Sequence, residues 1–305
     1  MSIVFENVEK RYNGTYALKE VSFRVEKGSM TGLLGPNGAG KTTSLKITVG
    51  LVRPTKGKVL VAGMEPLRNE HGVKSIIGFL PERPVYPGFV SVGVLLRHLA
   101  RLRGLASQDA ERVAKLAGLQ RYLDSKISAL SRGFLQRLGL AQALLGEPEI
   151  LLLDEPTANL DPQARVEILD LIARLKKDLG ATVVISSHIL PELQQVVDHV
   201  IFISEGRVAD YGSIEDLTRR YGVRIVFRVD TDRPRVLARI LVDYDFVTGV
   251  LIHEGWLEVH VKALASEDLK NELERLRGRG LLSGFRVKTG YLGELYEKVI
   301  SAAGH

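Results

Sequence analysis

Gly35-Pro36-Asn37-Gly38-Ala39-Gly40-Lys41-Thr42-Thr43 decides how the rest of the chain is read. It has the form G-x-x-x-x-G-K-[ST]. In such a loop glycines let backbone N–H groups curl around a triphosphate, the lysine reaches the outer phosphates, and the hydroxyl holds Mg²⁺. At the usual glycine frequency of ~7%, a chain of this length meets the pattern by chance on the order of once in a hundred. The flanks carry the remainder. Met30-Thr31-Gly32-Leu33-Leu34 is a short apolar run that reads as a buried strand, and Thr42 to Gly50 reads as helix. Strand, glycine loop and helix together aim a positive helix N-terminus at a phosphate. The stretch is a nucleotide site.

Further along, Ile150-Leu151-Leu152-Leu153-Asp154-Glu155 is a buried strand that ends in two adjacent carboxylates. Burying charge costs several kcal/mol unless it is paired or meets a metal. In a chain with a phosphate loop, Asp154 fits a Mg²⁺ partner and Glu155 is placed to take a proton from an attacking water. Thr182-Val183-Val184-Ile185-Ser186-Ser187-His188 is another apolar strand, ending in a histidine where open α/β sheets bind ligands. Ser131, in Leu130-Ser131-Arg132-Gly133-Phe134, precedes a helix with Leu138, Ala141 and Leu145 on its apolar face. It reads as an ordinary N-cap or as a second helix start offered to phosphate. Tyr12 reads equally as a plain aromatic or as a ring stacked on adenine.

Strands alternating with helices argue a largely parallel α/β core. Ser91 to Gly118 reads as two helices of an insertion, the first with Val94, Leu95, His98, Leu99 and Leu102 on one face. Composition shifts after Tyr221-Gly222, and the remaining C-terminal residues have the order β-α-β-β-α-β plus a helix, the ferredoxin-like pattern. Expected domains are therefore residues 1–220, with a helical subdomain at about 83–146, and an α+β appendage at 222–305.

The bulk numbers set limits. The chain has 305 residues, 42 Lys+Arg against 36 Asp+Glu, a net charge of +6 and no cysteine. Disulfides, thiolate chemistry and Cys-based metal sites are excluded. The basic residues are scattered without interleaved aromatics, so they read as solvated surface and no nucleic-acid partner is expected. Met1 to Glu6 has neither region of a signal peptide, and no apolar run approaches the ~20 residues that span a bilayer. Any membrane role would need a separate polypeptide.

Taken in order, Tyr12, loop 35–43, Pro81-Glu82, Leu130 to Phe134, Asp154-Glu155, Leu160-Asp161 and His188 resemble the motifs of an ABC transporter ATPase subunit, over roughly residues 1–220. Gln136 to Leu145 is similar to the exporter branch that pairs with separately encoded permeases, such as nitrous-oxide-reductase maturation, multidrug and sodium exporters. The resemblance implies a P-loop NTPase fold. It also implies a homodimer or heterodimer closing head to tail around two ATPs, on the inner, cytoplasmic face of the cell membrane. In that scheme Tyr12, loop 35–43, Lys41 and Glu82 bind nucleotide, and Thr42 and Asp154 hold Mg²⁺, with Glu82 beside the metal. Glu155 is the general base and His188 braces the γ-phosphate. Ser131, Arg132 and Gly133 arrive from the second copy, and Asp161 links the two sites. The sequence departs from the family pattern in two places: Glu82 stands where Gln is common, and Arg132-Gly133-Phe134 replaces Gly-Gly-Gln. The rival reading is a soluble ABC-type ATPase acting on nucleic acid or ribosomes. The chain lacks the long coiled-coil insertion and the doubled ATPase unit typical of that group.

Overall fold

The chain begins as a long hairpin of β1 (Ile3–Tyr12) and β2 (Thr15–Val25), antiparallel across Asn13-Gly14. Both turn residues have positive φ, 48° and 84°, the conformation that an Asn-Gly turn adopts at little cost. Phe5 sits opposite Phe23 with the rings stacked 4.3 Å apart, a cross-strand pair that fixes the register of the buried face. This computed structural model describes residues 1–194, 196–262, 265–288 and 292–303.

β3 (Met30–Leu34) comes next, all five residues buried, and leads through the glycine loop into α1 (Lys41–Thr48). β4 (Lys56–Val61) does not join the parallel strands. It pairs antiparallel with β1, giving a three-stranded sheet β2-β1-β4 beside the α/β core. α2 (Glu70–Ile76) then leads into β5 (Ile77–Leu80).

The helical insertion comprises α3 (Val92–Leu102), α4 (Ser107–Leu116) and α5 (Arg132–Ala143). The apolar face expected for α3 is corrected here. Val92, Leu95, Leu96 and Ala100 are buried, whereas Val94 and Leu102 are 52% and 71% exposed and His98 faces outward. Apolar residues cover more than half the circumference of this helix, so spacing alone allows two stripes, and packing against α4 selects the other one.

β6 (Ile150–Asp154), α6 (Pro162–Leu179) and β7 (Thr182–Ser187) continue the alternation. Every residue of β6 and β7 is buried, as expected of strands covered on both faces. A short α7 (Leu190–Leu193) precedes β8 (His199–Ser204) and β9 (Arg207–Ser213), joined at Glu205-Gly206 with φ of 48° and 76°. The six strands lie in the order β5-β6-β7-β3-β8-β9, with β5, β6, β7, β3 and β8 mutually parallel. One apolar cluster joins Phe5, Val21 and Val59 of the small sheet, Leu45 and Ile47 of α1, and Leu33, Leu152 and Val184 of the large one. α1 is thereby clamped between two sheets, and burying each such side chain contributes roughly 1.5–3 kcal/mol.

The chain divides into two compact units, Met1–Tyr211 and Gly212–His305. The boundary expected at 220–222 thus moves ahead of α8 (Ile214–Arg220), which goes with the second unit. The composition shift after Gly222 does not mark the boundary, because a helix can belong to a domain whose composition it does not share. The second unit continues with β10 (Ile225–Asp230), α9 (Pro234–Leu241), β11 (Val247–His253), β12 (Trp256–Val261), α10 (Ser266–Gly278), β13 (Gly284–Lys288) and α11 (Leu292–Ala303). Its antiparallel sheet has the order β11-β12-β10-β13. Phe227, Val229, Leu257 and Val259 pack there on Leu237 and Leu241 of α9 and Leu269, Leu273 and Leu276 of α10.

Candidate functional site

The parallel strands β5, β6, β7 and β3 lie side by side, so the loops after them leave one edge of the sheet together. They carry Glu82, Asp154-Glu155, His188 and the glycine loop. This is where ligands bind in open α/β sheets. A cleft of ≈ 670 Å³ opens there, lined by Asn37, Gly38, Gly40, Lys41, Thr42 and Thr43 from the loop and by Glu82, Glu155 and His188 from the other strand ends.

Two glycines are fixed by geometry. A Cβ on Gly35 would lie 2.0 Å from the Ile203 carbonyl oxygen. Gly40 has φ 108°, and a Cβ there would stand only 2.7 Å from the Ala17 carbonyl oxygen. As N-cap, Gly40 brings no side chain to close α1, so the first N–H groups of the helix stay open toward the cleft. Pro36 and Ala39 serve the loop itself: Ala39 is buried in the core and its carbonyl accepts from Gly206 N.

Lys41 is only 5% exposed. Its Nζ donates to the carbonyls of Gly35 (2.8 Å) and Pro36 (3.1 Å) and lies 3.2 Å from Glu155 Oε1. Glu155 Oε1 is otherwise buried without a hydrogen-bond partner, so its contact with Lys41 is one of charge. The other carboxylate oxygen, Oε2, is 2.9 Å from His188 Nδ1, which makes a hydrogen bond when that nitrogen carries the proton. Glu155 has φ 47°, a left-handed conformation that costs on the order of 1 kcal/mol for a residue with a side chain.

Asp154 lies one layer deeper, 1% exposed. Its Oδ1 accepts from Thr42 Oγ1 at 3.0 Å and from Ser186 Oγ at 2.7 Å. Burial pushes its pKa above the ordinary carboxylate value; the two hydroxyls oppose this, and the charges of Glu155 and Glu82 add to it. The donor set suits Mg²⁺, which takes oxygen ligands, one or two from protein carboxylates and the others from phosphates and water. Among the described residues no group of three or more His, Asp or Glu has the geometry of an all-protein metal cage. Thr42 and Asp154 offer the two protein oxygens, and Glu82 faces the same cleft with its carboxylate 3.4 Å from Arg83 Nε.

The other residues singled out from sequence are not among those lining this cleft. Tyr12 is 44% exposed with Lys10 Nζ 4.7 Å above its ring. Ser131, Arg132 and Gly133 start α5, and Arg132 lines an adjoining pocket of ≈ 350 Å³ that also includes Glu82 and Asn159. Ser131 is exposed and its side chain makes no cap bond, so the ordinary N-cap reading fails. A Cβ at Gly133 would meet only Ala164 Cβ, at 3.8 Å, so packing within the chain does not demand glycine there. Phe134, where the family pattern has Gln, packs against Tyr122 with ring centroids 4.2 Å apart and planes tilted by 41°. Asp161 caps α6 by accepting from Ala164 N at 2.9 Å.

Sequence reading misses Ser186, Asn159 and Arg165. Ser186 is fully buried; besides its bond to Asp154 it accepts from Glu155 N at 2.9 Å, so one hydroxyl orients both acidic residues. The signal is present as a polar pair, Ser186-Ser187, at the end of an apolar strand. Asn159 and Arg165 line the cleft from beyond the Glu155 turn, where spacing gives no cue.

A family model described as ABC transporter matches residues 18–158. Over 97% of this chain and 99% of the relative, the sequence is 32% identical to YxlF, an uncharacterized ABC transporter ATP-binding protein of Bacillus subtilis (strain 168). It is 32% identical to the bacitracin transport ATP-binding protein BcrA of Enterococcus faecalis, over 98% of this chain and 96% of that one. Among solved structures, a dimeric post-hydrolysis state of the ATP-binding cassette MJ0796 with ADP and Pi is 27% identical. It aligns with a TM-score of 0.63 over 69% of this chain and 98% of that one. Cleft, strand order and relatives agree that this chain belongs to the ABC transporter family, as an ATP-binding subunit.

Proposed function

We propose that this subunit hydrolyses ATP with Mg²⁺ as a head-to-tail dimer and drives export through a separate membrane permease, from the cytoplasmic face of the membrane. The observation that carries the proposal is the meeting of Lys41, Thr42, Glu155 and His188 in one cleft, with Asp154 behind them. Lys41 holds the β- and γ-phosphates. Thr42 and Asp154 would hold the metal, with Glu82 facing the same cleft. A bound Mg²⁺ shields the charge of the outer phosphates. Glu155 accepts the proton of the attacking water and His188 fixes its orientation and braces the γ-phosphate. Tyr12 stacks on the adenine.

Three features support the second copy. Ser131 has a free hydroxyl, α5 begins without a side-chain cap, and packing within the chain does not account for glycine at 133, where a Cβ would make only ordinary contact with Ala164. Ser131, Arg132 and Gly133 complete the partner's site, and Asp161 lies where the two sites communicate. That the MJ0796 cassette is dimeric with ADP and Pi bound supports a nucleotide-bound dimer. Among the described residues no helix is long and apolar enough to cross a membrane. Val85, Phe89, Val94 and Leu102, all within residues 85–102, are 89%, 81%, 52% and 71% exposed, and large apolar side chains left bare in that segment suit a permease contact. Transport is supported by likeness to a bacitracin transport ATP-binding protein, and its outward direction by the resemblance of Gln136 to Leu145 to the exporter branch. Residues 222–305 serve as a dimer-stabilising appendage.

Glu155→Gln tests the core of this reading. Phosphate release should fall at least about a hundredfold, while ATP shifts the protein to a dimer on size exclusion. Undiminished phosphate release removes Glu155 as the base.

A further inference from the structure

Glu192, on α7 just past His188, has no role in the mechanism above. Its side chain is 16% exposed, and both carboxylate oxygens are engaged. Oε2 accepts from the Thr157 hydroxyl at 3.0 Å, and Oε1 accepts from the Arg165 guanidinium at 2.6 Å. Thr157 is 2% exposed and stands shortly after Glu155 in the chain. Arg165 also donates from Nε to the Leu160 carbonyl at 2.8 Å.

One carboxylate therefore holds both ends of the turn 157–160. Between those ends Ala158 and Asn159 line the nucleotide cleft, Asn159 in a left-handed conformation at φ 60°. The turn comes directly after Glu155, and the helix carrying Glu192 comes directly after His188. The 2.9 Å contact between Glu155 and His188 is thus flanked by a second bridge between the same two segments. A hydrogen bond to a partly desolvated carboxylate is stronger than a neutral one, and leaving either partner unpaired costs more than the bond contributes.

We infer that Glu192 is a positioning residue for hydrolysis: by tying Thr157 and Arg165 to the segment after His188, it sets the approach of the Glu155 turn to the imidazole. The inference rests on Glu155 being the general base. A displacement of about 1 Å at reacting groups costs on the order of a hundredfold in rate. Glu192→Ala should therefore lower kcat by roughly 10–100-fold, with the Kd for ADP unchanged within a factor of about two. Thr157→Val should lower kcat less, and Thr157→Val/Glu192→Ala should be no slower than Glu192→Ala alone, because both act through one bond. Glu192→Gln should recover part of the rate, since its amide oxygen still accepts from Thr157.

A wild-type kcat in Glu192→Ala, multiplicative effects in the double variant, or a rate loss matched by a lower folded fraction overturns the inference. Hydrogen exchange separates it from the general-base reading. Exchange across residues 157–161 should quicken in Glu192→Ala and stay unchanged in Glu155→Gln. Equal exchange in Glu192→Ala and wild type overturns the brace, whatever the hydrolysis data. Full hydrolysis by Glu155→Gln alongside that exchange contrast overturns the base assignment, and with it the catalytic part of the inference.

Discussion

Helices α5 and α6 both start behind a residue that favours N-caps, yet they start differently. Asp161 closes α6 with a bond to Ala164 N and has Pro162 behind it, a start completed within the chain. Ser131 stands at the same position of α5, exposed and with no cap bond, and α1 begins behind Gly40, which has no side chain at all. The lesson is that residue type at a helix start does not say whether the N–H groups are satisfied. A closed start is architecture; an open one beside a glycine leaves donors for something from outside.

The largest effect is expected at the open start of α1. Lys41→Ala removes the cation whose Nζ lies between the loop carbonyls and Glu155, and phosphate release should drop by at least about a hundredfold. Normal hydrolysis would mean that the open start binds no phosphate. Next comes Ser131→Ala. Since this hydroxyl caps nothing, melting temperature should stay within about 1 °C while turnover falls roughly tenfold or more. A melting point that drops while turnover holds would make the two helices alike.

Asp161→Ala should do the reverse in stability, costing ~1 kcal/mol through loss of the cap, or roughly 2–4 °C for a unit of this size. The smallest effect concerns Asp154, whose pKa is raised above the ordinary 3.8 chiefly by burial. A carboxyl raised in the folded state binds its proton more tightly there than when unfolded, so stability declines as pH rises through the window between the two values. At neutral pH the charged form is a cost to the nucleotide-free protein. Asp154→Asn, whose amide oxygen still accepts from Thr42 and Ser186, should melt slightly higher than wild type at pH 7. The gap should close toward pH 4. Thermal melts at both pH values without Mg²⁺ check the sign.

Much of the site is legible in the sequence because it sits at ends of strands that are apolar throughout. The run Leu151-Leu152-Leu153 makes the acidic pair after it conspicuous, as the run before Gly35 does for the glycine loop. Buried parallel strands announce themselves, and their C-terminal ends are where function gathers. The features that escape such reading are set by contacts between segments remote in sequence. Glu192 meets Thr157 only because β6 and β7 are neighbours. The buried side of α3 is chosen by α4, since its apolar residues allow two stripes. The second unit begins at Gly212, because α8 keeps company that its own sequence does not reveal. Ser131 is open to two readings until the missing cap bond removes one.

The order β5-β6-β7-β3 has a consequence for how this site tolerates change. Neighbouring strands stand about 4.8 Å apart, so the four loop bases are spaced along a line of roughly 14 Å by backbone hydrogen bonds alone. That pitch is the same whatever side chains fill the core, provided the ladder persists. The spacing of lysine, carboxylates and histidine is therefore a property of the main chain, and core substitutions that preserve volume can accumulate without detuning it. Each loop can vary in sequence independently, as Glu82 does here at the end of β5, while the scale on which they meet stays fixed.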